Sequence, residues 1–137
     1  MTLTDRKSRF LLAGKAPKKK AAYVSEKMME FLSSIPNEGV KTIIPDRGKE
    51  FSDHFAVTEA LSNVPFYFPD PHVPWQRGTN EHTNGLIREY LPKSKEMGTV
   101  DDATIYRIVE KLISRPRKCL GWNPPYEVFF NKVLHLI

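Results

Sequence analysis

The sequence has 137 residues, of which 40% are hydrophobic and 11% aromatic; this suits one domain with a hydrophobic core, expected over residues 1–137, and argues against global disorder. No apolar run approaches the roughly 20 residues that cross a bilayer and no secretory signal is recognised, so we expect a cytoplasmic protein without membrane contact. The net charge is +5, which favours an anionic partner.

The first elements predicted along the chain are two short strands at residues 2–5 and 9–13, joined by a charged turn at residues 6–8. Apolar residues at helical spacing then predict a helix from about residue 19 to residue 33. Proline, asparagine and glycine end that helix, and a short β-rich run follows at residues 40–44.

The middle of the chain continues this alternation with a predicted helix at residues 51–61 and a short apolar strand at residues 65–68. A third helix is predicted from Thr79, whose hydroxyl is a suitable cap, to Tyr90, and Pro92 follows it. A fourth helix is indicated around residues 105–112, where apolar residues recur at i, i+3, i+4 and i+7.

The last predicted element is a short helix that Asn123 caps and that begins with two prolines, which the first turn of a helix tolerates. Upstream of it, the single cysteine, Cys119, is expected to be a small packing residue. The order of strands and helices predicts an α/β fold with a mixed sheet and helices packed on it.

The charge is concentrated in two segments. Residues 1–20 contain seven cations and one anion and carry +6, whereas the rest of the chain holds 14 cations and 15 anions and carries −1. A second basic cluster lies in the stretch RPRKCLG. Such patches suit a nucleic-acid backbone, although a solvated basic edge explains them equally well. The DNA-binding prediction rests on Lys18, Lys19, Lys20, Arg115, Arg117 and Lys118.

Two carboxylates are candidates for metal chemistry. Asp46 follows the β-rich run, where open α/β sheets place their ligands, although Pro-Asp-Arg-Gly is also a plausible turn. Glu81 lies 35 positions later, in the first turn of the third predicted helix. Arg77, Asn84 and Arg88 are spaced from Glu81 so that all four form one helical stripe, which suits phosphates beside a metal ion. A solvated polar face is the simpler alternative.

Phosphodiester chemistry gives these groups a reason to meet. Mg²⁺ prefers oxygen ligands, and two such ions about 3.5–4 Å apart can stabilise both the attacking and the leaving oxygen. Asp46 at a strand end and Glu81 on a neighbouring helix can supply two of the carboxylates that such ions need. Two carboxylates alone are too few to hold two ions well.

Four stretches, TLTDRKSRFLLAGK, PDRGKEF, YFPDPHVPWQRGTNEHTNGLIREYLPK and RPRKCLGWNPPYEVFF, resemble the transposases of the insertion-sequence-thirty family over essentially the whole chain. The central segment WQRGTNEHTNG is long and unusual. The resemblance implies a bacterial, nucleoid-associated DDE transposase or integrase core with a ribonuclease-H-like fold, acting on transposon ends and target DNA. Asp46 would be the second and Glu81 the third acidic residue of the triad, holding Mg²⁺ or Mn²⁺. With the family fold, their carboxyl groups are expected to converge to within about 4–8 Å of each other.

The sequence also departs from the family pattern. In the family pattern, the first acidic residue of the triad lies on the central strand of the sheet. That strand and the helix-turn-helix region would both lie upstream of Met1. We therefore expect a truncated core that lacks the central strand, has impaired DNA cleavage and strand transfer, and dimerises or aggregates. Family members usually have asparagine at His82, which we expect to be a surface histidine. The alternatives are a non-catalytic fragment that binds DNA or full-length transposase, or an unrelated basic α/β domain.

Overall fold

The computed structural model describes residues 1–16, 20–36, 39–45 and 48–131, with only the backbone at Gln76 and Met97. The chain divides into two compact units. The first unit combines Met1–Lys15 with Gly78–Ile137, and the second is Ala16–Arg77. The assignment of residues 1–137 to one domain stays a prediction.

The first unit begins with a β-hairpin. Strands β1 (Thr2–Thr4) and β2 (Leu11–Ala13) pair antiparallel, with Leu3 opposite Leu12. The Asp5 carboxylate accepts a hydrogen bond of 2.7 Å from the backbone N–H of Ser8, which closes the turn between the strands. The predicted hairpin is confirmed.

Three helices complete the first unit: α3 (Gly78–Tyr90), α4 (Asp102–Ser114) and α5 (Pro125–Phe130). Their apolar faces surround a core that strand β2 enters through Leu11, which is 1% exposed. The aromatic residues of α5 pack on the hairpin, where the rings of Phe10 and Phe129 stack at 4.5 Å. The core consists of Leu11, Leu91, Val100, Ile105, Ile108, Val109 and Leu112.

Helix α4 has the clearest local signals of the first unit. Its buried residues Ile105, Ile108 and Leu112 follow the predicted spacing, so the helix is confirmed. Asp101 caps it by accepting a hydrogen bond of 2.8 Å from the backbone N–H of Thr104. Hydrogen bonds from Thr104 lower the pKa of Asp101, and the one from its side chain has a larger effect than the one from its backbone.

The second unit is built from helices α1 (Ala21–Ser33) and α2 (His54–Ala60), which pack against each other. Both were predicted with longer bounds: α1 at its N-terminal end, and α2 at both ends. Their inner faces bury Val24, Met28 and Val57, and Val57 is fully inaccessible to solvent. This unit therefore has an apolar core of its own.

The two predicted strands of the second unit are reduced to a single contact. Ile43 forms an isolated parallel bridge with Phe66, through a hydrogen bond of 2.9 Å from the N–H of Tyr67 to the carbonyl of Ile43. The strand predictions at residues 40–44 and 65–68 were wrong in extent, because apolar β-branched side chains also occur in buried extended segments without a ladder.

Two cap predictions were also wrong. Helix α3 begins at Gly78, so Thr79 lies inside its first turn instead of capping it. Pro124 is the capping residue of α5, while the Asn123 side chain donates a hydrogen bond of 3.0 Å to the carbonyl of Leu120. The side chains of Thr79 and Asn123 form hydrogen bonds with other groups, and the position of a residue in the sequence does not reveal such partners.

The fold is mixed α/β within the described residues, with five α-helices and a two-stranded sheet. The α/β class is therefore confirmed, and the ribonuclease-H-like arrangement stays a prediction. None of the described helices has both the length and the apolar character that a bilayer span requires.

Candidate functional site

Helix α3 separates a buried face from a polar one. Thr83 is buried, and Leu86 and Ile87 pack against the core of the first unit. Glu81 and Arg88 lie on the opposite face and are exposed. The predicted division of this helix is confirmed for these residues. It was wrong for Arg77, which precedes the helix, and for Tyr90, which is 37% exposed and so only partly covered.

The hairpin holds α3 at two points. The guanidinium of Arg9, at the end of the hairpin turn, donates a hydrogen bond to the hydroxyl of Thr79. The hydroxyl of Thr2, at the start of β1, donates one of 3.2 Å to the amide oxygen of Asn84. These contacts lie on either side of Glu81 in the sequence, so they fix the helical turn that carries it.

Arg9 reaches Thr79 from an unusual backbone conformation. Its φ is 62°, in the left-handed region that non-glycine residues rarely adopt. Such conformations persist when the surrounding structure compensates their cost, and here the N–H of Arg9 donates a 2.9 Å hydrogen bond to the carbonyl of Asp5. The turn therefore directs the Arg9 side chain towards the first turn of α3.

The Glu81 carboxylate lies in the first turn of α3 and is exposed. Among the described residues, no side chain or backbone group forms a hydrogen bond or ion pair with it. A carboxylate near a helix N-terminus interacts favourably with the helix dipole, which gives Glu81 a structural role as well. Its oxygens remain accessible to a ligand from outside the chain.

The other members of the predicted stripe have partners within the protein. Asn84 accepts the hydrogen bond from Thr2, and Arg88 donates one of 3.4 Å from Nη1 to the carbonyl of Leu91. Arg77 is half-buried in the 3-10 turn Pro74–Arg77, at the end of the second unit. The DNA contacts predicted for these three residues stay predictions.

Three predicted site residues, Asp46, Lys18 and Lys19, lie outside the described residues. Lys20 is described, and it is exposed immediately before α1. In the part of the chain that the structure describes, no three histidine, cysteine, aspartate or glutamate side chains are grouped as metal ligands. The expected approach of Asp46 to Glu81 therefore stays a prediction.

The second basic cluster separates into exposed and inward-facing residues. Arg115 and Lys118 are exposed, while Arg117 is half-buried and donates a hydrogen bond of 3.3 Å from Nη2 to the carbonyl of Leu112. Burial lowers the pKa of Arg117, and the charge of Arg115 lowers it further. Arg117 thus anchors its loop to the end of α4, and its predicted contact with DNA stays a prediction.

No protein-family model matches the sequence. Curated relatives do: the chain is 39% identical over 127 residues to the transposase InsI for insertion sequence element IS30A of Escherichia coli. It is 40% identical over 126 residues to the transposase for IS1086 of Cupriavidus metallidurans and over 129 residues to that for IS4351 of Bacteroides fragilis. By sequence the chain is a relative of the IS30 transposases. The resemblance predicted from the motifs is confirmed.

These matches cover 93%, 92% and 94% of the chain but 33%, 37% and 39% of the three transposases. The chain therefore spans about a third of the length of the curated relatives it matches. The activity, substrates and partners of a whole IS30 transposase come to this chain as proposals.

The remaining residues singled out by the sequence are all exposed. Arg6 and Lys7 lie in the hairpin turn, three and two residues before Arg9, and were predicted as a charged turn within the basic segment of residues 1–20. His82 is exposed, so the prediction of a surface histidine is confirmed. Cys119 is also exposed, so its prediction as a packing residue was wrong, because it lies in a loop and not on a buried helix face.

The hydrogen bond from Arg9 to Thr79 yields a testable prediction. Thr79→Val removes the acceptor at nearly constant volume, and we expect it to lower the free energy of unfolding by about 1.5–3 kcal/mol, as for other hydrogen bonds to charged groups. Urea unfolding followed by circular dichroism measures this change. Thr79→Ser keeps the hydroxyl and should retain most of the stability; equal losses in both variants would show that the contact is unimportant.

Proposed function

We propose that the chain takes part in DNA transposition, as a piece of the region that cleaves and joins DNA strands with the help of metal ions. The accessible carboxylate of Glu81, on a helical turn fixed by Arg9 and Thr2, is the observation that carries this proposal. The transposase relatives supply the reaction class. DNA is accordingly the proposed substrate.

The metal that we propose for this surface is Mg²⁺, with Mn²⁺ as a substitute. Glu81 offers the hard oxygen donors that these ions prefer, and we propose Asp46 as the second ligand. A bound ion would polarise the phosphate group and stabilise the charge that develops on its oxygens. The fit of Glu81 to this role rests on its exposed carboxylate, to which no described residue forms a hydrogen bond or ion pair.

The DNA backbone would be held by cations around this surface. Arg6 and Lys7 occupy the turn that Arg9 joins to α3, and Arg88 lies on the same exposed face of α3 as Glu81. Lysine and arginine side chains neutralise phosphates and release counterions, which gives affinity without sequence readout. We propose the same contacts with DNA phosphates for the basic residues that the sequence predicted to bind DNA.

We expect little strand cleavage from the chain by itself. A two-ion arrangement that stabilises both the attacking and leaving oxygens needs more carboxylate ligands than Asp46 and Glu81 together provide. The exposed cations do not depend on a metal ion, and they favour a second function: a non-catalytic fragment that binds DNA or joins full-length transposase. Oligomerisation with a second copy belongs to this alternative.

Metal-linked DNA binding distinguishes the two functions. For the unchanged chain, we predict that Mg²⁺ tightens binding to duplex DNA relative to EDTA at matched ionic strength, because Glu81 would hold the ion and the ion would supply positive charge for phosphate. Glu81→Gln removes the charged ligand and should abolish this metal effect. Fluorescence anisotropy of a labelled duplex measures the affinity under both conditions.

Glu89→Gln is the matched control, since Glu89 is another exposed glutamate on α3. It should keep the full metal effect. If both variants respond to Mg²⁺ as the unchanged chain does, Glu81 holds no ion and the non-catalytic function is favoured.

The basic tract gives a second prediction. Changing Lys18, Lys19 and Lys20 together to glutamine should weaken DNA binding uniformly across sequences and flatten the plot of log affinity against log salt, by about one unit for each phosphate that is no longer neutralised. The control changes three other exposed lysines, Lys41, Lys93 and Lys95, to glutamine. Identical slopes for the two triple variants would make the tract an ordinary solvated edge.

A further inference from the structure

A large aromatic side chain stands at the tip of the loop between α4 and α5. Trp122 is 67% exposed, although tryptophan is usually well covered in folded proteins. We call residues 115–123 the Trp122 loop. Within it a short 3-10 turn, Lys118–Leu120, leads into Gly121 and Trp122.

Backbone hydrogen bonds hold the Trp122 loop in one conformation. The N–H of Arg117 donates to the carbonyl of Asn123 at 3.2 Å, and the N–H of Trp122 donates to the carbonyl of Arg117 at 2.9 Å. The guanidinium of Arg117 ties the loop to the carbonyl of Leu112 at the end of α4. The exposed indole is therefore presented by a closed and anchored loop.

The tip of this loop adopts a turn that disfavours a bulky residue. Gly121 and Trp122 have φ values of 61° and 66°, and the N–H of Asn123 donates to the carbonyl of Leu120 at 3.2 Å. Positive φ at both central positions defines a type I′ turn, in which glycine and asparagine are preferred. Packing does not account for tryptophan here, because most of its side chain meets solvent.

Trp122 shares its loop with exposed cations. Arg115 and Lys118 are both exposed there, as is the amide residue Asn123. The centre of a protein interface is depleted of charged residues, so these neighbours in the loop do not favour a protein partner. An exposed indole among cations matches instead the way proteins bind unpaired nucleic acid, with aromatic rings against bases and cations along the phosphates.

We propose that the Trp122 loop is a binding site for unpaired nucleotides of DNA, in which the indole of Trp122 stacks on a base and Arg115 and Lys118 contact the flanking phosphates. Within a paired duplex the faces of the bases are covered by their neighbours, so a stacking site selects nucleotides outside the duplex. This inference rests on the proposed function, because it names the form of DNA that the chain recognises.

The first test compares two probes, a duplex with a short single-stranded gap and the same duplex fully paired. Trp122→Ala should weaken binding to the gapped probe on the order of tenfold, the size expected for removing one base stack, and leave the paired probe within about twofold. Trp122→Phe keeps a smaller ring and should give an intermediate loss. Trp75→Ala is the control, since Trp75 is 75% exposed in the other unit.

The second test does not require removal of the Trp122 side chain. The sequence contains two tryptophans, so Trp75→Phe leaves Trp122 as the only one. Its fluorescence should be quenched strongly by the gapped probe and weakly by the paired one. This measurement stays informative if Trp122→Ala unfolds.

Each outcome decides between separate claims. The inference is supported if the gapped probe quenches Trp122 more strongly than the paired probe and if only the Trp122 variants lose affinity for the gapped probe. Equal quenching by both probes, or equal affinity of Trp122→Ala and the unchanged chain for the gapped probe, overturns it while DNA binding stands. A change in solution mass for Trp122→Ala with unchanged DNA affinity also overturns it and indicates a contact between protein copies. Binding to neither probe contradicts the proposed function itself.

Discussion

The hydrogen bonds between the β-hairpin and helix α3 are the interaction on which the candidate functional surface depends. Arg9 donates to Thr79 and Thr2 to Asn84, so the helix is fixed on both sides of Glu81 while the carboxylate itself faces solvent. A helix of 13 residues is marginal by itself in water, and its stability comes from tertiary packing. Without the hairpin, Glu81 would be a charge on a fraying first turn.

The two compact units each bury an apolar core of their own, and Glu81 belongs to the first of them. The Trp122 loop lies within that same unit, where Arg117 anchors it to the end of α4. The nucleotide site proposed at this loop therefore uses residues of one unit only.

Sequence patterns predicted the elements with strong periodicity and missed those set by tertiary contacts. The spacing of Ile105, Ile108 and Leu112 located α4 because a buried helix face repeats every 3.6 residues. The run around Ile43 has the composition of a strand, but a ladder also requires a partner of matching length. At the candidate site, the motif proposed Glu81 as a metal ligand, whereas the contact of Arg9 with α3 depends on a left-handed turn that no local pattern revealed.

The most direct test of the central claim is a titration of the full chain with Mn²⁺, followed by paramagnetic broadening of its backbone amide resonances. We expect broadening centred on the first turn of α3, at Asn80, Glu81 and His82, and its loss in both Glu81→Gln and Asp46→Asn. Broadening centred elsewhere, or unchanged in Glu81→Gln, would contradict it. Loss in Glu81→Gln alone would leave Glu81 as a metal ligand and remove Asp46 from the site.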